Sequence, residues 1–247
     1  MKTLVIKSES ALVNPPPNTP IFSSIGMQPL AYFNAGLISS ENSDNSPVKL
    51  PFSVSGSAPA NQRIFDTSNS AKPPTFLKAN PNSLSFDGTQ GLSQTSGLIL
   101  KRGFTLAFVG KFNEFKDLSV ARAFSIGVDA NSRNYVGVSS KGITVVTGDT
   151  ASAYVDTAKS SDVVCLVIKF NGENSKYIGG DGALKSIQLP EMISQETSTI
   201  RIGMNVAGAT AGGFNGLVYG FSLYQDNLTD DQLLTLHAEA KLDFGIL

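Results

Sequence analysis

The chain has 247 residues with 19 Lys and Arg and 20 Asp and Glu, giving a net charge of −1 at neutral pH. This balance, with no Lys/Arg cluster along the chain, argues against nucleic acid or an anionic membrane as a partner. The single cysteine, Cys165, excludes an intramolecular disulfide, and no apolar run is long enough to cross a bilayer. The length allows two domains, but all-β sandwiches often reach this size as one domain.

Residues 1–28 are predicted to form an N-terminal arm. Residues 3–7 have the composition of a short strand, and the Pro-rich spacer that follows favours stiff polyproline II. The strand either pairs with a neighbouring molecule or folds back as an edge strand of its own domain. The apolar run at the start is too short for a signal peptide, so we expect folding in a cytoplasm.

Short segments of alternating polarity, separated by turn residues, predict strands along most of the chain. Residues 163–170 are apolar on both faces and therefore predict a central strand, in which Cys165 is buried and inert. The Asn171-Gly172 pair after this strand predicts a tight turn. Further strands are predicted at residues 48–54, 104–111, 122–128, 135–139, 143–147, 176–178, 183–189 and 199–204.

The last 34 residues predict a strand followed by a short capped helix. Strict alternation in the strand places four large side chains on one face: Leu217, Tyr219, Phe221 and Leu223. Thr229 and Gln232 have the spacing of a capping box. The helical period predicts a buried stripe of Leu233, Leu236, His237 and Ala240, and Gly245 follows as the helix end.

Several segments share a recognisable pattern. They are the turn and helix at residues 228–232 and 241–246, the Leu-Ser-Phe-Asp-Gly-Thr segment at residues 84–89, the strand at residues 104–109 and the opening at residues 29–34. Together they resemble laminin G-like and concanavalin A-like lectin–glucanase jelly-roll domains, over residues 29–247. This sequence departs from the family pattern at Gln90-Gly91-Leu92, where the family has an acidic residue followed by an aromatic one, and it has no tryptophan.

The resemblance implies an all-β fold, an antiparallel two-sheet jelly-roll sandwich with one short C-terminal helix and an extended N-terminal arm. Glucanases of this fold carry alternating carboxylates on one strand, which serve as acid and nucleophile. No such run occurs in this sequence. We therefore expect a non-catalytic protein, with His237 in the core and Asp87 capping the turn after its strand.

Lectins of this fold bind sugars at loops on one rim, often with Ca²⁺ held by oxygen ligands, so Ca²⁺ is a candidate ligand here. Asn and Asp are also the ordinary residues of turns. A role in a turn is therefore the alternative explanation for each Asn and Asp in the candidate set. Tyr135, Tyr154 and Tyr177 are expected to be exposed and free to stack on a sugar. The candidate ligand-binding residues are Asp129, Asn131, Asn134, Tyr135, Asn171, Tyr177, Asp181 and Asn205, with Asp149 as a further oxygen donor.

The absence of a signal peptide, the Ser/Asn-rich composition and the arm are similar to those of bacteriophage virion components. One hypothesis is therefore a virion surface protein, either a head decoration or a fibre or tail component. It would assemble in the host cytoplasm and dock through its arm onto other virion proteins or onto copies of itself. The alternative is an adhesin module that binds a cell-surface glycan.

Overall fold

The computed structural model describes the greater part of the chain after residue 24. The described residues are 25–27, 29, 31–37, 46–47, 52–54, 63–66, 72–94, 98–99, 103–113, 121–128, 133–139, 141–148, 151–156, 162–191, 197–204, 213–225 and 228–244. The strand and Pro-rich spacer predicted for the arm lie outside them. The division into an arm and a domain of residues 29–247 stays a prediction.

Strands make up most of the described residues, and the longest are β18 with ten residues and β9 with nine. The first nine are β1 (Ala31–Asn34), β2 (Ser46–Pro47), β3 (Phe52–Val54), β4 (Arg63–Asp66), β5 (Thr75–Leu77), β6 (Ser83–Asp87), β7 (Leu92–Gln94), β8 (Leu98–Ile99) and β9 (Phe104–Phe112). The second nine are β10 (Ala121–Gly127), β11 (Arg133–Ser139), β12 (Gly142–Thr147), β13 (Ala151–Asp156), β14 (Val163–Phe170), β15 (Ser175–Ile178), β16 (Leu184–Ile187), β17 (Thr197–Ile202) and β18 (Asn215–Tyr224).

These strands form two antiparallel sheets of nine strands each, which confirms the predicted sandwich. Sheet A has the order β16-β15-β14-β9-β18-β6-β5-β2, with β1 also paired to β18. Sheet B has the order β13-β12-β11-β10-β17-β7-β4-β3, with β8 also paired to β17. The predicted central strand is β14, which lies between β9 and β15 with the bounds expected from its sequence.

The core lies between the two sheets and is rich in phenylalanine. Phe108 of sheet A approaches Phe124 of sheet B with ring centroids 6.4 Å apart, and Phe124 also contacts Phe221. All three rings are fully buried. Because such rings remove large apolar areas from water, this layer supplies much of the hydrophobic stabilisation of the sandwich.

The strict alternation predicted for the closing strand is wrong, because β18 contains a β-bulge. Its pairing with β9 shifts register between Val218 and Gly220, so the two halves of the strand face differently. Phe221 and Leu223 point into the core between the sheets, whereas Tyr219 packs in the cluster on the other side of sheet A. The prediction that Phe221 and Leu223 are fully buried is confirmed.

The helix α1 (Asp230–Asp243) covers the outer face of sheet A. Its capping box is formed as predicted, since Thr229 Oγ1 accepts from Gln232 N and Gln232 Oε1 accepts from Thr229 N. The predicted stripe is buried in full, His237 included. Gly245 lies outside the described residues. Among the helices of the described part, none is long and apolar enough to cross a membrane.

Candidate functional site

The structure describes five of the eight residues in the predicted ligand-binding set and separates them into three places. Asp129, Asn131 and Asn205 lie outside the described residues. Asn134 and Asn171 line one cleft, Tyr177 and Asp181 lie on the β15–β16 hairpin, and Tyr135 lies on the outer face of sheet B. The described residues therefore do not gather into a single loop site.

The cleft lies at one end of the sandwich, where β11 and β12 of sheet B approach the β14–β15 turn of sheet A. It encloses about 270 Å³, including the solvent at its mouth. Asn134 is buried, and its Oδ1 accepts a 2.6 Å hydrogen bond from Thr147 Oγ1. Asn171 begins the predicted tight turn, in which Gly172 adopts a φ of +56°. Both asparagines therefore have structural roles at this rim.

Tyr177 and Asp181 are occupied by contacts within their own hairpin. Lys185 Nζ forms an ion pair with Asp181 and lies 5.8 Å from the centre of the Tyr177 ring. The Lys185 hydrogen bond, followed by one from the Ala183 backbone, lowers the pKa of the Asp181 carboxyl. Tyr177 is part of the buried core and not exposed as expected, because its strand turns the ring inward between the sheets.

The outer face of sheet B carries three arginines, two of which lie against the ring of one tyrosine. Arg133 and Tyr135 share this face of β11, while Asn134 and Val136 point inward. The guanidinium carbons of Arg122 and Arg133 lie 5.0 and 5.3 Å from the centre of the Tyr135 ring, within the range of cation–π attraction. Arg201 of β17 lies across Ser125 from Tyr135. We call Arg122, Arg133, Tyr135 and Arg201 the arginine face.

A β-bulge places Arg122 on this face. In a regular strand Arg122 and Phe124 would point the same way, because they are two residues apart. The β10–β11 pairing shifts between them, so that Arg122 opposes Gly137 and Phe124 opposes Val136. Phe124 therefore enters the core while Arg122 turns outward towards Tyr135. Bulges are common where a strand must redirect a side chain at a functional site.

Arg201 has two buried nitrogen atoms without a hydrogen-bond partner in the described chain, whereas Arg122 and Arg133 each have one such atom, Nε. The two atoms of Arg201 are Nε and Nη1. Burial lowers the pKa of its guanidinium group from the usual range. The residue is nevertheless partly exposed, whereas Ser93 and Ser125 on its two sides are buried.

The arginine face could not be predicted from the sequence, because its three arginines are far apart in the chain. The chain has no run of Lys and Arg, but the folded sheet places three arginines on one face. One part of the pattern was present in the sequence: Arg201 alternates with the apolar Ile200 and Ile202, which places it on the polar side of its strand. Tyr135 was expected to be exposed, yet it is buried with two guanidinium groups over its ring.

Two other residues have the structural roles that their sequence context predicts. Asp87 Oδ1 accepts from both the hydroxyl and the backbone N–H of Thr89, so it caps the turn after β6, and these bonds lower the pKa of its carboxyl. Cys165 is buried in sheet A, and burial raises its pKa to about 12. A thiol in this state is a packing residue and not a nucleophile.

No family model matches the sequence, and no curated protein matches it. Among solved structures, it is similar to domain 4 of a GH43 extracellular arabinanase from Geobacillus stearothermophilus, in complex with arabinotriose. That match has 14% identity and a TM-score of 0.61, and it covers 85% of this chain and 98% of that domain.

Two larger proteins contain a similar domain. A Trypanosoma rangeli sialidase matches at 12% identity with a TM-score of 0.57, covering 87% of this chain and 33% of the sialidase. The binding domain of botulinum neurotoxin serotype G matches at 11% identity with a TM-score of 0.52, covering 76% of this chain and 49% of that chain. These likenesses show that the chain has the fold of known β-sandwich domains, in agreement with the predicted jelly roll.

Proposed function

We propose that this chain is a non-catalytic carbohydrate-binding module that receives its ligand on the arginine face. The observation that carries the proposal is the pair of guanidinium groups, from Arg122 and Arg133, against the Tyr135 ring, with Arg201 two strands away on the same face of sheet B. Guanidinium groups donate up to five hydrogen bonds in a fixed planar arrangement, which suits the oxygen atoms of a saccharide. Tyr135 holds two of these groups in place through its ring.

The similar structures support a role in binding. The arabinanase domain was solved in complex with arabinotriose, so a sandwich of this shape accompanies a sugar ligand in that protein. The matched part of the sialidase is about a third of a protein that acts on a saccharide. Fold alone does not determine function, so the argument for this chain depends on the residues of the arginine face.

A non-catalytic role is supported by the acidic residues near this face. A glycosidase needs two carboxyl groups about 5–9.5 Å apart. In the described strands of sheet B, the acidic positions are Asp66 on β4 and Asp156 on β13. The two strands are six positions apart in the sheet, a separation of roughly 29 Å at the usual strand spacing. A pair this far apart cannot act on one glycosidic bond.

A glycan array probed with the purified chain, in Ca²⁺ and in EDTA, tests the proposal. We expect binding to a restricted set of saccharides, confirmed for the best of them by calorimetry. In the described part of the chain, no three His, Cys, Asp or Glu residues are grouped to hold a metal ion. We therefore expect binding to persist in EDTA. A chain that binds no glycan on the array would contradict the proposal.

The virion hypothesis stays a prediction, because no observation on the described residues favours it. It concerns the arm and its partners, whereas the proposed site lies in the sandwich. The two roles are compatible, since they use different parts of the chain.

A further inference from the structure

We propose that the saccharide bound by the arginine face is acidic, and that Arg201 receives its carboxylate or sulfate group. This inference rests on the proposed carbohydrate-binding function and adds the chemical class of the ligand. It starts from the partly exposed Arg201 side chain, whose Nε and Nη1 atoms are buried without a hydrogen-bond partner in the described chain.

The cost of this arrangement favours a ligand that carries a negative charge. Removing a charged group from water is unfavourable unless it is paired and hydrogen-bonded. Arg201 Nε and Nη1 have no hydrogen-bond partner in the described chain, and the nearest acidic position in the same row across sheet B is Asp66, beyond Ser93. An oxyanion on the ligand would supply the counter-charge and accept hydrogen bonds from the part of the guanidinium group that is open to solvent.

Arg201 is partly exposed, unlike the two residues beside it. Ser93 and Ser125 flank it in the row across the sheet, and both are small and buried. The Ser125 hydroxyl is already committed, because its Oγ donates to the Met204 carbonyl at 3.3 Å. Among Ser93, Ser125 and Arg201, the arginine is therefore the residue with a polar side chain that is not fully buried.

The rest of the arginine face favours the same class of ligand. Arg122 and Arg133 add two positive charges on β10 and β11, one on either side of Tyr135 along the strand direction. A neutral sugar would leave the charge of Arg201 uncompensated while removing it further from water. An acidic sugar gains from the desolvation that is already present in the free protein, because the ion pair forms in a low-dielectric site.

The test compares acidic saccharides with their neutral counterparts on the full chain. Calorimetry would use polygalacturonate beside its carboxyl-reduced form, and dextran sulfate beside dextran. These pairs separate a carboxylate ligand from a sulfate ligand. The variants are Arg201→Gln, which removes the charge, and Arg201→Lys, which keeps the charge but loses the planar donor group. Lys185→Gln is the control, since it removes one positive charge from the exposed β15–β16 hairpin of sheet A.

We expect the wild-type chain to bind the acidic saccharide of at least one pair at least about tenfold more tightly than its neutral counterpart. The affinity for the acidic saccharide should fall as the NaCl concentration is raised. Arg201→Gln should remove that preference, Arg201→Lys should reduce it, and Lys185→Gln should leave it unchanged. Equal affinity for acidic and neutral members would overturn this inference while leaving carbohydrate binding intact. Loss of the preference in Lys185→Gln to the same degree would also overturn it.

Binding to neither member of either pair would overturn the acidic-ligand inference, and a glycan array on which neutral sugars alone bind would then preserve the proposed function. If Arg201→Gln fails to fold, as judged by thermal unfolding, the comparison of acidic and neutral saccharides on the wild-type chain decides the question by itself.

Discussion

Phe124 of sheet B meets Phe221 of sheet A edge to face, with ring centroids 5.2 Å apart and planes inclined at 60°. Both side chains are fully buried, and each follows a β-bulge in its own strand. The two bulges therefore direct one aromatic ring from each sheet towards the other. This contact links the two layers of the sandwich at its centre.

Replacing Phe221 with alanine should destabilise the chain by about 3–5 kcal/mol, the usual cost of removing a buried phenylalanine side chain. For a protein of this size that loss lowers the melting temperature by roughly 10 °C. Leu242→Ala is the control, because Leu242 is 66% exposed and should shift the melting temperature little. A decrease of less than about two degrees for Phe221→Ala would be incompatible with the position of this ring.

The Asp87 carboxylate should stabilise the fold in a pH-dependent way. Hydrogen bonds from Thr89 lower its pKa in the folded state, so its contribution is present above the unfolded value of about 3.9 and is lost as the pH falls through the folded value. Because the group is exposed, Asp87→Asn should cost less than about 1 kcal/mol at pH 7. In thermal unfolding, the melting temperature of Asp87→Asn should lie below that of the wild type at pH 7, and the two should coincide near pH 2.

Glu173→Gln serves as the control for this titration, since Glu173 is exposed in the β14–β15 turn. A difference between Asp87→Asn and wild type that stayed the same at both pH values would show that the charge of Asp87 has no part in the effect.

Cys165 should resist thiol reagents in the native protein. Its side chain is buried, and its pKa of about 12 keeps the thiolate fraction very low near neutral pH. We expect labelling by a chromogenic disulfide reagent to be slow in buffer and complete in denaturant. Gln188→Cys places a second thiol at an exposed position and should be labelled at once. Rapid labelling of two thiols in the folded variant would contradict the burial of Cys165.

The N-terminal arm leads to a prediction about assembly. Deleting residues 1–20 should leave the melting temperature nearly unchanged but abolish any oligomer, if the arm pairs with another molecule. Light scattering and thermal unfolding of the full chain and the truncated chain would measure both properties. A truncated chain that does not fold would show instead that the arm is a strand of its own domain.

Local patterns in the sequence predicted those elements whose residues act alone or with near neighbours. The capping box of Thr229 and Gln232, the Asn171-Gly172 turn and the apolar strand β14 are each determined within a few residues. For the same reason, the sandwich could be predicted from the succession of strands and turns.

The β-bulges and the arginine face could not be predicted in the same way. A bulge depends on the pairing of two strands, so simple alternation gave Tyr219 and Phe221 the same face, although they lie on opposite faces. The arginines come from three strands and meet only after the sheet forms. Tyr135 was included in the predicted site for its aromatic ring, but its two arginine neighbours required the register of β10 and β11.

A crystal structure of the chain with the tightest glycan from the array tests the central claim most directly. The account predicts that the saccharide lies on the outer face of sheet B, with an oxygen of its acidic group within hydrogen-bond distance of the Arg201 guanidinium. A saccharide bound instead in the rim cleft beside Asn134 and Asn171, with Arg201 untouched, would contradict it.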